Sequence, residues 1–492
     1  MSRAARTPLP SQPERAPVRQ TGIEVALSPV GITRWIWRLF TSMRFGLALL
    51  LALAVLALIG TLLAQAPAAV RSDSQAYAAW LDSIHSKYGG WTGIFDRLGL
   101  FAIFSSLWFR ALVVLLAVSI LACSVRWAPR LWRKAVHPRT IMPDQFFDGA
   151  PLGVRMASKD NPDDVLAALL PTFRSRGFHA IVDRDGETVH VCADRFRWGP
   201  FGRVVAHLSF VIILVGALIG ATWGFRDEEF AVAVGSKVPV GYGTGMSIEA
   251  RSFSDSYYAD GAPRDYSSTL VLYKDGVPVR SQVVRVNHPL RYGGVSFYQS
   301  FFGPAAVMRV TDRDGTALFD RGVPLLWGSD DGAHRIGRFT IPERDLTVFV
   351  VGAASGEVDP SIAAGQMQLE VYKGGEENPV AVEVVDQGKP VQIAGIDFTF
   401  SRERQFTGLI VSRDPGVLVV WIGGALLVLG TCVVFFFRHR RVRAMIRPTG
   451  AGSELRVAAT WRRDAGFQPL FERLVEDIAV AFEREHPPQL RR

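Results

Sequence analysis

His207 is the only ionisable residue in the apolar run from Val204 to Phe225, and it is the first candidate for chemistry in this sequence. An ionisable side chain inside a bilayer span is costly, so such a residue is a functional candidate by default. Neutral imidazole is a common axial ligand of haem iron. Arg203 marks the polar edge of the run, and four residues of helix place His207 about 6 Å deeper. The plainer alternative is that so shallow a histidine simply hydrogen-bonds a neighbouring helix. His439 follows the last apolar run at the same membrane face, within FFFRHRRVR, and could approach His207. Its setting favours one of a set of cations facing lipid headgroups, which would leave a second imidazole to come from another chain. His288 is a third, weaker candidate for iron, because a lone loop histidine is usually solvated.

His288 belongs to VNHPLRYGGVSFYQSFFG, Val286 to Gly303, which combines a proline bend, a glycine pair and the aromatic residues Tyr292, Phe297, Tyr298, Phe301 and Phe302. One reading is an aromatic sheet core with a bend at its start. The other is a surface for a partner or a flat apolar ligand. Three cysteines, Cys123, Cys192 and Cys432, show no CxxC pair and support neither a disulfide framework nor a thiolate zinc site. No P-loop, GxSxG, HExxH or dinucleotide fingerprint has a fitting context; GYGTG at Gly241 to Gly245 precedes no helix and reads as a strand turn.

The elements that must position these residues follow from four apolar runs, each close to the roughly 20 residues that cross a 30 Å hydrocarbon core. A net charge of +9 over 492 residues comes with Lys and Arg flanking these runs, which favours a membrane protein over a nucleic-acid binder. Arg34, Arg38 and Arg44 precede the first run; Arg126, Arg130, Arg133 and Lys134 follow the second; Arg438, Arg440, Arg441 and Arg443 follow the fourth. The positive-inside rule then puts both termini in the cytoplasm.

The expected fold is four transmembrane helices, a large extracytoplasmic all-β domain and a small cytoplasmic α+β module. Residues 1–40 form a disordered or amphipathic cytoplasmic N-terminus, 41–65 the first span, 66–104 an outer loop and 105–125 the second span. Residues 126–202 hold the module, with a helix opening at Asn161 and two strands around the Asp-Gly of DRDGE. The third span is 203–225. Alternating runs separated by DG, GG and QG turns make 226–414 an antiparallel sandwich or barrel. The fourth span is 415–437. The cytoplasmic tail, 438–492, carries an amphipathic helix with Leu470, Phe471, Leu474, Ile478 and Phe482 on one face, for docking on a partner or the membrane.

From Thr41 to Arg443 the chain resembles the ResB/CcsB family of cytochrome c biogenesis proteins. The similarity rests on SMRFGLALLLALAVLALIGTLLAQ with Ile59 to Thr61, and on Trp108-Phe109 and Cys123 before Arg126 in the second run. It rests further on GPFGRVVAHLSFVIILVGALIG, VNHPLRYGGVSFYQ, and Asp414-Pro415-Gly416 opening a span that ends in an Arg/His-rich run. The family motif supplies Asn287, Pro289, Leu290, Tyr298 and Gln299 as a partner-facing group.

The resemblance implies a haem-handling subunit of a bacterial plasma-membrane cytochrome c synthase, not a complete enzyme. It helps export haem b and present it with apocytochrome c. His207 is then an axial ligand in transit, opposite a histidine of a tryptophan-rich CcsA/ResC-type partner, since this chain has no tryptophan-rich motif. Thiol reduction falls to a separate membrane or thioredoxin-like protein, because the outer segment lacks cysteine; Cys123 is expected to pack. The competing expectation is a scaffold that docks the catalytic partner without binding haem. A transporter is disfavoured, because the spans offer few polar groups for a pathway.

Overall fold

Helices satisfy their own backbones, and all four apolar runs adopt that solution in the computed structural model: Met43–Leu62, Leu107–Val136, Phe201–Trp223 and Val417–Phe436. The structure describes residues 29–71, 74–259, 263–329, 332–354, 361–374, 376, 378–460, 464, 466–481 and 489–490. The expected disorder of the first residues falls on 1–28, outside the described residues. An amphipathic helix, Pro29–Phe40, precedes the first span and exposes Trp35, Ile36 and Trp37. The second helix runs on to Val136 instead of ending at residue 125, since RWAPRLWRKAV stays helical beyond the apolar stretch, Pro129 included. On it, Ser119 Oγ donates to Phe40 O at 3.0 Å and Arg126 Nη1 to Thr41 Oγ1 at 3.0 Å, pinning the break before the first span. Cys123 Sγ lies 3.7 Å from the same Phe40 carbonyl, a packed position consistent with a structural thiol.

Two compact units divide the chain, one made of residues 1–64, 102–215 and 419–492, the other of 65–101 and 216–418. In the first, Asn161 caps the helix Pro162–Ser175, its Oδ1 accepting from the Asp163 and Asp164 amides at 3.0 Å each. The strands His179–Asp185 and Thr188–Arg195 form the expected hairpin around Gly186, whose φ of 60° suits glycine.

The C-terminal residues correct the expectation of a separate tail. Strands Arg440–Thr449 and Gly452–Ala459 insert between Thr188–Arg195 and Leu152–Ser158, completing one antiparallel sheet. The helix Phe467–Ala481 buries Leu470, Phe471, Leu474 and Ile478 in the core of that same sheet, against Val165, Leu169 and Phe173. Its apolar stripe is thus satisfied at home and not by a partner or lipid; Phe482 lies outside the described residues.

In the second unit, residues 65–101 fold as short helices around Tyr77, Trp80, Tyr88, Phe95 and Phe101, with Tyr77 Oη donating to Asp96 Oδ1 at 2.5 Å. The β region is antiparallel throughout. Two long strands, Val295–Thr311 and Ile396–Arg413, pair along their whole length and serve two cores in turn. One half packs against a four-stranded sheet through Ile248, Leu270, Phe297 and Leu409; the other packs against a five-stranded sheet through Met308, Val348, Leu369 and Phe398. Between the cores lies a polar knot, in which Ser268 Oγ and Thr407 Oγ1 reach Gln299 Oε1 at 2.6 and 2.9 Å. Within this unit a Cβ on Gly416 would lie 1.9 Å from the Gly216 carbonyl oxygen, so only glycine fits.

Candidate functional site

The neighbourhood of His207 is built by two paired strands that continue into two paired helices. Thr188–Arg195 lies against Arg440–Thr449 with Arg195 opposite Arg440, and residues 196–200 and 437–439 carry the pair into the helices Phe201–Trp223 and Val417–Phe436. The chains nearly touch there: a Cβ on Gly199 would fall 1.8 Å from the Phe437 carbonyl oxygen. Phe196, held at a φ of 56°, sets its ring edge-on to Phe437 at 5.2 Å.

Small residues then bring the helices together. A Cβ on Gly430 would sit 2.7 Å from Ala206 N and 2.8 Å from Gly202 O; one on Gly423 would sit 2.7 Å from Ile213 Cγ1 and 3.1 Å from Ser209 O. The contact face of the third helix therefore carries Gly202, Ala206, Ser209 and Ile213. Five residues beyond Gly202, at 100° per residue, His207 points about 140° away from that face. Its side chain is exposed along the helix and faces away from the fourth span. The plainer expectation, a hydrogen bond to a neighbouring helix, is not supplied by the fourth span, which lies on the other side of this helix.

The other candidates are not brought to it. His439 Nε2 donates to the Asp194 carboxylate oxygen Oδ1 at 2.9 Å, so it belongs to the module and is not a headgroup-facing cation. Arg441 grips the same carboxylate, Nε to Oδ1 at 2.6 Å and Nη2 to Oδ2 at 2.7 Å. Burial alone would raise the Asp194 pKa, but the hydrogen bonds from His439 and Arg441 outweigh it and hold the carboxyl below its usual range. The native state thus binds fewer protons than the unfolded chain. The stabilisation is present above the ordinary carboxylate pKa and is lost as pH falls through the depressed one. Asp194→Asn is expected to cost about 3 kcal/mol at neutral pH. Thermal melts of the two proteins should differ most near pH 7 and converge on acidification; a constant gap would exclude the ionised carboxylate as the cause.

His288 lies exposed in a turn, next to Asn287 at a φ of 64°. The five residues expected on a partner surface divide. Leu290 is fully enclosed and Gln299 anchors the buried polar knot, because both alternate inward on their strands. Pro289 and Tyr298 are half-buried and Asn287 is exposed. The segment is mainly the aromatic sheet core with a bend.

Sequence reading missed a buried row on the second face of the module sheet. Val189, Val191 and Ala193 turn into the core, so His190, Cys192 and Asp194 face the other way, opposite Met445, Arg443 and Arg441. The signal was present as a polar residue at every second position of TVHVCADR, matched by RRVRAMIR. Among the described residues no group of three or more His, Cys, Asp or Glu side chains could hold a metal ion.

Known proteins sharpen this picture. The chain is 26% identical over 468 residues to a cytochrome c biogenesis protein CcsB from a Synechococcus strain, covering 92% of this chain and 93% of the relative. A protein of the same name from Nostoc is 26% identical over 459 residues, covering 89% and 90%, and one from Gloeobacter violaceus is 26% identical over 471 residues, covering 89% and 90%. Residues 43–472 match the ResB-like family, a span that takes in all four membrane-length helices, the β region and most of the module. The chain belongs to the ResB-like family.

Proposed function

We propose that this chain takes part in cytochrome c biogenesis as the haem-handling subunit of a membrane cytochrome c synthase. In this reading the helix–sheet module and both termini lie in the cytoplasm and the β unit lies outside. The support is the basic residues that end the second and fourth spans and open the first. Haem b enters from the cytoplasmic leaflet, takes His207 as one axial ligand and receives the other from a histidine of a tryptophan-rich CcsA/ResC-type subunit. The β unit positions apocytochrome c beside that partner, while a separate thiol-reducing protein keeps the acceptor cysteines reduced.

The observation that carries the reading is the direction of His207. It is the one histidine in the four membrane-length helices, and it stands on the side of its helix left open by the fourth span. An imidazole with no structural duty towards its neighbour helix is free to bind a metal brought by another subunit.

The test is the absorption spectrum of the complex purified with its partner. His207→Ala is expected to remove or shift the low-spin haem signal and to lower c-type cytochrome yield, and added imidazole is expected to restore the signal in part. A complex whose haem spectrum ignores the substitution would leave the scaffold role as the better account.

A further inference from the structure

The helix Pro29–Phe40, PVGITRWIWRLF, is the most open apolar element outside the spans. At 100° per residue, Ile32, Trp35, Ile36 and Leu39 fall within about 100° of one another. Ile32, Trp35 and Ile36 are exposed, Trp35 to 64%, so the described residues of the chain leave this face uncovered. Arg34 and Arg38 lie roughly 110–150° from the centre of that arc, and the helix holds no acidic residue. Trp37 borders the basic side and is also exposed. A cluster of large apolar side chains left open in this way marks a surface that meets something else.

Its place in the chain says what that is. The first membrane-length helix begins at Met43, after a break at Thr41 and Ser42. The break is tied to the second span: Phe40 O accepts from Ser119 Oγ and Thr41 Oγ1 from Arg126 Nη1, each at 3.0 Å. The apolar stretch of that second helix ends at Val125, with Arg126 next. Phe40 and Thr41 therefore leave the spans at the level where hydrocarbon gives way to headgroups. From there a helix of 12 residues reaches about 18 Å. Standing upright, it would hold Trp35 and Ile36 in water; lying flat, it lays them on the bilayer that the next helix enters.

We propose that Pro29–Phe40 is an interfacial helix that docks on the lipid surface at which the first span begins. Ile32, Trp35, Ile36 and Leu39 sink to the acyl boundary, while Arg34 and Arg38 pair with lipid phosphates. Apolar area on one side and cations without acids on the other are what a headgroup layer binds. Tryptophan at the border of the two faces suits the same depth. The docked helix fixes the break at Thr41 from outside the bundle, as Ser119 and Arg126 fix it from inside.

The experiment places a nitroxide at one position of the helix at a time, in the full-length chain reconstituted at one copy per phospholipid nanodisc. Power saturation then reads contact with oxygen, which concentrates in lipid, and with a water-soluble nickel chelate. Cys123→Ala and Cys432→Ala give the background, since Cys192 is wholly enclosed and out of the label's reach. Labels at Ile32→Cys and Ile36→Cys are expected to favour oxygen over nickel several-fold more than labels at Arg34→Cys and Arg38→Cys. Trp35→Asp changes an exposed side chain, so melting of the module should stay as in the parent. It should nevertheless bring the Ile32→Cys label out into contact with nickel.

Equal contact with nickel at all four positions, the mark of a helix standing in water, overturns the proposal. Protection from both agents at Ile32→Cys and Ile36→Cys does so too, because protein would then cover that face. An Ile32→Cys label indifferent to Trp35→Asp overturns it as well, since the apolar face would not be what holds the helix down. Haem takes no part in these measurements, so their outcome is separate from that of His207→Ala.

Discussion

Leucine in place of Gly430 is expected to abolish recovery of folded protein and to bring c-type cytochrome maturation to background. The new Cβ alone would lie 2.7 Å from Ala206 N, 2.8 Å from Gly202 O and 3.2 Å from Ala206 Cα. All three are backbone atoms of the third helix, so no side chain can move aside. Overpacking a well-filled interior costs typically 1–3 kcal/mol when side chains give way, and more when a helix must be displaced. Within a bilayer the loss is not recovered by hydrophobic burial elsewhere, because close contact of small residues is itself what holds the helices together. The strain also reaches the module, since the same two helices emerge from adjacent strands of its sheet. Gly424 is the internal control: nothing lies within 4 Å of its added Cβ, and Gly424→Ala should leave yield and melting unchanged. Equal damage from both substitutions would mean that the effect comes from lost glycine flexibility and not from the interface.

The membrane helices were legible because backbone satisfaction and bilayer thickness are local demands, met within each run of about 20 residues. The hairpin at Gly186 and the cap at Asn161 were legible for the same reason, since turn and cap chemistry sit within a few residues. What sequence could not convey was the partner of the strand Thr188–Arg195. It lies at Arg440–Thr449, beyond two spans and the whole β region, and alternation says which face a strand buries but not against what. His439 went astray with it. Inside FFFRHRRVR it looked like a lipid-facing cation, and only the register that sets Arg441 beside Asp194 gives it a carboxylate. His207 was visible as an anomaly in its run, but its outward direction depended on glycines at 423 and 430, whose seven-residue spacing places them on one helix face. In Val286 to Gly303 the aromatic cluster drew attention, yet alternation along Val295 to Gln299 already placed Gln299 on the same face as Val295 and Phe297.

The placement of the C-terminal helix makes the second large prediction. Twelve of the 21 buried residues in the module core come from positions 442–478, so a chain ending at Phe437 should lose the module altogether. Such a truncation removes the two central strands of the sheet, leaving Leu152–Ser158 with no neighbour and the hairpin His179–Arg195 alone. An isolated hairpin is marginal in water, and the helix Pro162–Ser175 would keep Val165, Leu169 and Phe173 exposed. A point substitution separates this from a docking role. Leu474 is completely enclosed, and Leu474→Ala is expected to cost about 2–5 kcal/mol, read as an early-melting phase and protease sensitivity of the module. Val480 is 82% exposed on the same helix, and Val480→Ala should be silent. A helix that served to grip lipid or a partner would give the reverse pattern, with Leu474→Ala stable in isolation and deficient only in assembly. The strands that this helix covers run directly into the third and fourth spans, so destabilising the core at Leu474 should also loosen the pairing that turns His207 outward. Haem retention in the purified complex is therefore expected to fall with Leu474→Ala even though the substitution touches no residue of the span.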